Sequence, residues 1–249
     1  LKLIERSKDI IYYYELKPVY KHRYTSPSID FFLGEGTLDA LNKNSNMPFV
    51  MIHPDDKEIM FQKISGKINY NEGIIQRLKG TDGVYKWFEE YTTPIYENGE
   101  IVAVQGIMRN IDKKVKLEQD LQYQISHDAL TNIYNRGYFE KMIKHYNQEQ
   151  NLPLGIVLCD LDRLKYVNDT YGHKKGDQLI QAIAQLLKNN LSENAIVSRV
   201  GGDEFAIILP NTTKFQIEIL CEELREKIKH FPALSDDIKL QMSIGYSFS

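Results

Sequence analysis

The chain has 249 residues, enough for one large or two ordinary domains by the rough rule of about 150 residues per domain. Its composition, 42% hydrophobic and 26% charged with a net charge of −3, is that of a globular protein and excludes broad electrostatic attraction to nucleic acid or an anionic membrane. No apolar run nears the ~18 residues that cross a bilayer, and Cys159 and Cys221 stand far apart without metal-ligand spacing, so a reducing, cytoplasmic setting without membrane contact is expected.

The segments 9–16 (DIIYYYEL), 84–96 (VYKWFEEYTTPIY) and 100–111 (EIVAVQGIMRNI) are rich in β-branched and aromatic residues. With turn chemistry in GTDG (80–83) and ENGE (97–100), they predict an antiparallel meander. Between the first strand and the others, Pro54 followed by Asp55 and Asp56 predicts the start of a helix. Trp87 and the tyrosines read as sheet packing rather than a cofactor box, and the lone His53 reads as a cap or surface residue rather than a haem ligand. The phrases YTSPSIDFFLG (24–34), IHPDD (52–56) and the run 80–112, in that order, resemble the PAS sensor family. The resemblance implies a first domain, 1–111, with an antiparallel sheet and flanking helices; it names no ligand.

From Asp112 the pattern changes. Leu117, Leu121 and Ile125 recur every four residues among charged and amide side chains, which predicts a linker helix over 112–126. It reads either as a solvated connector or as a short dimeric coiled coil. Beyond it the predicted order is strand (152–162), helix (177–191), β-hairpin (195–210), helix (214–231) and strand (238–248). That alternation predicts an α+β sheet with its helices on one face.

Asp160 and Asp162 flank Leu161 at the end of the first of these strands. Residues two apart share a strand face, so the acids can point to one site where the Leu161 carbonyl is also available. The hairpin carries RVGGDEF (199–205), in which Gly201 and Gly202 suit a tight turn of positive φ but do not explain Asp203 and Glu204. Brought beside the first strand, these carboxylates would repel one another unless a cation intervened. Hard oxygen donors of this kind suit Mg²⁺. In YVNDTYGHKKGDQL (166–179), Asn168, Asp169, His173 and Asp177 surround two glycines before the helix resumes, and an amide with a carboxylate can match the edge of guanine.

The ordered motifs HDALTNIYNR (127–136), DLDRLKYVNDTYGHKKGDQL (160–179), RVGGDEF and SIGYS (243–247) resemble the GGDEF family of diguanylate cyclases. The resemblance implies a palm-like second domain, 127–249, that condenses two GTP into cyclic di-GMP and two pyrophosphates. Each domain would hold one GTP, so a homodimer is implied. By position, Asp160, Asp203 and the Leu161 carbonyl would hold Mg²⁺ or Mn²⁺, and Glu204 would assist the metal or the attacking hydroxyl. Asn168 and Asp177 would read guanine, Lys165 would lie near the phosphates, and Gly201 and Gly202 would let the backbone approach the nucleotide. Asp128, Asn135 and Arg136 match the leading turn and read as structural, while Arg199 is expected to pair with a nearby acid. The family's RxxD inhibitory site is replaced by Ser192 to Ala195, so product binding there is not expected. Arg163 departs from the family pattern at the pocket rim, and an inactive GTP-binding module under PAS control is the alternative reading. The chain opens on Leu1 and stops at Ser249, before the family's last helix, so it reads as a piece of a longer protein whose upstream part could carry membrane helices.

Overall fold

The computed structural model describes residues 8–148, 153–232 and 239–249; Leu152 and Ile238, at the starts of two expected strands, lie outside them. The chain divides into two units, Leu1–Gln119 and Asp120–Ser249. Among the described residues no helix is long and apolar enough to cross a membrane.

In chain order the first unit holds β1 (Ile10–Glu15), β2 (Lys21–Thr25), α1 (Ser28–Leu33), α2 (Thr37–Lys43) and α3 (Met47–Met51). A 3₁₀ turn (Pro54–Asp56) leads into α4 (Lys57–Ile64), followed by β3 (Ile74–Lys79), β4 (Tyr85–Glu97) and β5 (Glu100–Asn110). The sheet order is β2-β1-β5-β4-β3, antiparallel throughout. Inward positions Ile10, Leu78, Phe88 and Met108 meet Ile29, Leu33 and Leu41 of the helices. The strands the sequence did not predict, β2 and β3, are the two edges. Their charged residues, as in KHRYT, protect an open edge and thereby blur the strand pattern. His53 caps the 3₁₀ turn, its Nδ1 accepting the Asp55 N–H at 3.2 Å.

Helix α5 (Asp112–Ser126) has no buried residue, and Leu117, Leu121 and Ile125 are all exposed. The second unit continues with β6 (Tyr134–Asn135), α6 (Arg136–Gln148), β7 (Leu154–Leu161), α7 (Leu164–Tyr171) and α8 (His173–Asn189). It closes with β8 (Ile196–Arg199), β9 (Glu204–Pro210), α9 (Lys214–Lys229) and β10 (Met242–Phe248). The sheet order is β10-β7-β9-β8-β6, with only the β6–β8 pair parallel.

Alternation along the strands feeds two cores. Val157, Cys159, Leu161, Phe205 and Ile207 pack with Leu179, Ile183 and Leu187 of α8 and with Ile217 and Leu224 of α9. Leu154, Ile196 and Ile208 point the other way, against Tyr138, Phe139, Met142, Ile143 and Tyr146 of α6. The expectation of helices on one face is therefore corrected: α6 covers the other. Its apolar spacing at 138, 139, 142, 143 and 146 is helical and lay in the sequence unread. A second correction concerns 166–179, where the helix resumes at His173 rather than at 177, so that Gly176 lies inside α8 and Asp177 in its second turn.

Candidate active site

The acids meet through strand register. Antiparallel pairing of β7 with β9 sets Asp160 opposite Glu204, and the Leu161 N–H donates to the Asp203 carbonyl at 2.9 Å. Asp162 closes the group from the β10 side, accepting from the Ser243 hydroxyl at 3.1 Å. Loss of solvation and the neighbouring Asp203, Asp162 and Glu204 push the Asp160 carboxyl above the usual carboxylate range. Among the described residues no Lys, Arg or His forms an ion pair with Asp160, Asp203 or Glu204. An open cleft of about 580 Å³ adjoins them, lined by Arg136, Glu140, Leu158, Asp160, Glu204 and Ser243 among others.

No three His, Cys, Asp or Glu side chains among the described residues form a ready metal cage. Two carboxylates and a backbone carbonyl nevertheless fit Mg²⁺, which is usually held by one or two carboxylates and completes its octahedron with water and substrate phosphate. The unbalanced negative charge at Asp160 is the structural feature that such an ion would neutralise.

The glycine pair does not play the expected part, because neither Gly201 nor Gly202 has a positive φ. At Gly201 the reason for glycine is steric: a Cβ there would stand 2.3 Å from Glu204 Oε2 and 3.1 Å from Glu204 Cβ. The N–H groups of Val200 and Gly201 both donate to the Glu204 carbonyl, at 2.9 and 3.3 Å, closing the turn. A Cβ on Gly202 would meet nothing within 4 Å, so this residue borders open space.

Asn168 and Asp177 come to a second corner, between α7 and α8. The Asn168 amide lies over Gly176, where a Cβ would sit 2.0 Å from its Oδ1, so the absence of a side chain lets the amide rest one residue from Asp177. Asn168 is half-buried, while Asp177 and Lys165 are exposed. Arg163 is exposed with φ of 62°, and Leu164 beside it is buried in the core. Among the described residues no hydrogen bond joins this corner to the acids.

Arg199 makes more contacts than the sequence implied. Arg199 was given only an acid partner, and it has one, Asp128 Oδ1 at 3.2 Å. Its Nη2 and Nε also donate to the Gly202 carbonyl, at 2.7 and 3.3 Å, directly before Asp203. Asp128 is held in turn by the amide and hydroxyl of Thr131, at 3.0 and 2.7 Å. Burial raises the Asp128 carboxyl, but Thr131 and Arg199 together outweigh it and hold the group below its ordinary range. Asn135 clasps the end of α5, donating to the carbonyls of Ile125 at 2.7 Å and His127 at 3.3 Å, while its Oδ1 accepts the Tyr138 N–H. Arg136, expected to be structural like these, pairs instead with Glu140 at 2.8 Å on the rim of the cleft.

Comparison with known proteins places both units in known families. The family model described as "Diguanylate cyclase, GGDEF domain" matches residues 125–249, and one described as "PAS fold" matches residues 37–108. "Diguanylate cyclase DgcM" of Escherichia coli (strain K12) is 33% identical over 171 residues, which are 67% of this chain and 41% of that protein. "Signaling protein YkoW" of Bacillus subtilis (strain 168) is 32% identical over 162 residues, 63% of this chain and 20% of that protein. The chain thus spans less than half the length of these relatives. The crystal structure of the coiled coil and GGDEF domain of DgcB from Caulobacter crescentus, in complex with c-di-GMP, superposes with a TM-score of 0.51 at 23% identity. It covers 56% of this chain and 77% of that one, a likeness of fold.

Proposed function

Because the chain belongs to the GGDEF family of diguanylate cyclases and carries a PAS fold ahead of that domain, we propose that residues 127–249 condense two GTP into cyclic di-GMP with release of two pyrophosphates, under control of the domain at 1–111. The observation that carries this reading is the register of β7 and β9, which opposes Asp160 to Glu204 and binds the Asp203 peptide to Leu161 at the edge of an open cleft. Asp160, Asp203 and the Leu161 carbonyl would hold the metal. When bound, Mg²⁺ polarises the α-phosphate and favours ionisation of the 3′-hydroxyl.

The chain's own residues supply the rest. Asn168 and Asp177 orient guanine, since an amide and a carboxylate complement its donors and acceptors and mismatch adenine. Lys165, exposed on α7, offers a cation to the phosphates. Glu204 stands across from Asp160 and would assist the metal or the attacking hydroxyl. Gly202 leaves room for close approach of the nucleotide. One chain holds one nucleotide, so bond formation requires two copies with their sites facing. Ser192 to Ala195, lacking both Arg and Asp, should not restrain the enzyme by binding product.

The test is mass spectrometry of products from GTP, ATP and their mixture with Mg²⁺, for the wild type and Asp203→Ala. Cyclic di-GMP from GTP alone, absent in the variant with an unchanged thermal midpoint, supports the proposal. GTP binding without product from the wild type would mean a regulatory module instead, and product from Asp203→Ala would remove that residue from the metal site.

A further inference from the structure

The cleft beside the acids has more room than a metal ion needs. Its volume is about 580 Å³, whereas Mg²⁺ with six waters takes about 180 Å³ at ~30 Å³ per water. Leu158 and Asp160, two apart on β7, both face the cleft, while Val157 and Leu161 turn to the core against α8. The cleft therefore opens on the α6 side of the sheet. Asn168 and Asp177 belong to the layer of α7 and α8 on the opposite side, where Leu164, Val167 and Leu179 enter the core.

On the cyclase reading, guanine sits at that corner and the α-phosphate at Asp160 and Asp203. The nucleotide then turns over the strand end, and what extends beyond its α-phosphate enters the cleft. Phosphate oxygens arriving there face the carboxylates of Asp160, Glu204 and Glu140. One cation is present to meet them: Arg136 is the only Lys, Arg or His among the described residues that line the cleft. Lys165, on α7, does not line it.

Arg136 is the first residue of α6, and its side chain is 72% exposed. Only its Nε is engaged, by Glu140 at 2.8 Å, and its two Nη groups have no hydrogen-bond partner among the described residues. An exposed i,i+4 pair of this kind is among the weakest of ion pairs, so it yields readily to a phosphate. Glu140 foremost, and Glu204 from across the cleft, hold the guanidinium's pKa above its ordinary value, so the side chain stands within electrostatic reach of the acids. Its planar fork matches phosphate oxygens two at a time, as an ammonium does not.

We propose, resting on the cyclase reading, that Arg136 binds the β- and γ-phosphates of GTP in this cleft, the part of the nucleotide released as pyrophosphate. The test is calorimetry on the whole 249-residue chain with Mg²⁺, comparing the wild type, Arg136→Gln and Arg136→Lys. The probes are 3′-deoxy-GTP, which lacks the attacking hydroxyl and binds without reacting, together with GMP and inorganic pyrophosphate. Arg136→Gln is expected to lose about tenfold or more in affinity for 3′-deoxy-GTP and for pyrophosphate while holding GMP within about twofold. Arg136→Lys, which keeps the charge and loses the fork, should recover part of that loss. Unchanged affinity of Arg136→Gln for 3′-deoxy-GTP, an equal loss for GMP, or a lysine variant no better than the glutamine one would each overturn the assignment. Should Arg136→Gln fail to fold, a loss in Arg136→Lys confined to 3′-deoxy-GTP and pyrophosphate decides alone. Wild-type protein that binds GTP without forming product would refute the cyclase reading and leave these probes to decide the phosphate contact, whereas wild-type protein that binds no GTP would overturn both.

Discussion

Arg199→Ala should cripple the acid-bearing turn without touching the nucleotide. The substitution removes the guanidinium bonds to the Gly202 carbonyl at 2.7 and 3.3 Å and the contact with Asp128 at 3.2 Å, from a side chain 15% exposed. The two bonds to Gly202 share one acceptor and count as one charge-assisted interaction, about 1.5–3 kcal/mol. Asp128 keeps both bonds from Thr131, so its loss is nearer that of an exposed pair, about 0–1 kcal/mol. The expected loss of stability is therefore about 1.5–4 kcal/mol. Catalytically, releasing the Gly202 peptide frees Asp203, and a shift of about 1 Å in a reacting geometry costs on the order of 100-fold in rate. Turnover should fall by that order while the KM for GTP holds, and the Mg²⁺ concentration for half-maximal rate should rise. Asp128→Asn, which keeps polar contacts but loses the charge, should show a smaller effect in the same direction. An independent readout is amide exchange at Leu161, whose N–H is bound to the Asp203 carbonyl and should lose protection in Arg199→Ala. Wild-type protection together with a wild-type Mg²⁺ profile would refute the positioning role.

Asp177→Ala should weaken GTP binding by about 1–3 kcal/mol in calorimetry, the cost of leaving guanine donors unpaired; unchanged affinity would take the residue out of the pocket. In the first unit, Asp56 is held below the ordinary carboxylate range, foremost by the side-chain bonds from Arg77. A depressed carboxyl contributes its full stability above its unfolded pKa of about 4 and loses it as pH falls through the lower folded value. Asp56→Asn should then cost about 1.5–3 kcal/mol at pH 7 and flatten the acid limb in urea unfolding, and an unaltered limb would contradict this. Ser198 Oγ is buried with no partner among the described residues, so Ser198→Ala should be neutral or stabilising by up to about 1 kcal/mol. A clearly lower denaturation midpoint would show that the hydroxyl is satisfied.

Where a segment has one dominant period, its structure was readable from the sequence. The strands at Ile10–Glu15, Tyr85–Glu97 and Glu100–Asn110 and the hairpin of β8 and β9 fall where β-branched runs and turn residues placed them. The edge strand β2 was not readable, because its exposed and charged residues suit an open edge rather than a strand's own propensity, and the short β3 carries no clear alternation. The break between α7 and α8 is shorter than the sequence implied. Gly172, with φ of 84°, ends one helix and begins the next, so Gly176 serves close packing rather than a turn.

The site divides along the same line. Asp160, Asp203 and Glu204 could be named because each lies beside a strand whose end is visible in the sequence, and antiparallel pairing of neighbours then brings them together. The role of Arg199 could not be named in this way, since it depends on an acid 71 residues away and on a carbonyl that no side-chain pattern reports. The reason for glycine at 201 was hidden for a related cause. It lies in the position of the Glu204 side chain rather than in the backbone angle of the turn. Two constraints therefore meet at this hairpin: Gly201 leaves space for Glu204, and Arg199 with Leu161 fixes the peptides on either side of Asp203. Carboxylates that repel one another would drift apart on a loose loop, so a turn pinned from both sides is what lets several acids remain together before any cation arrives.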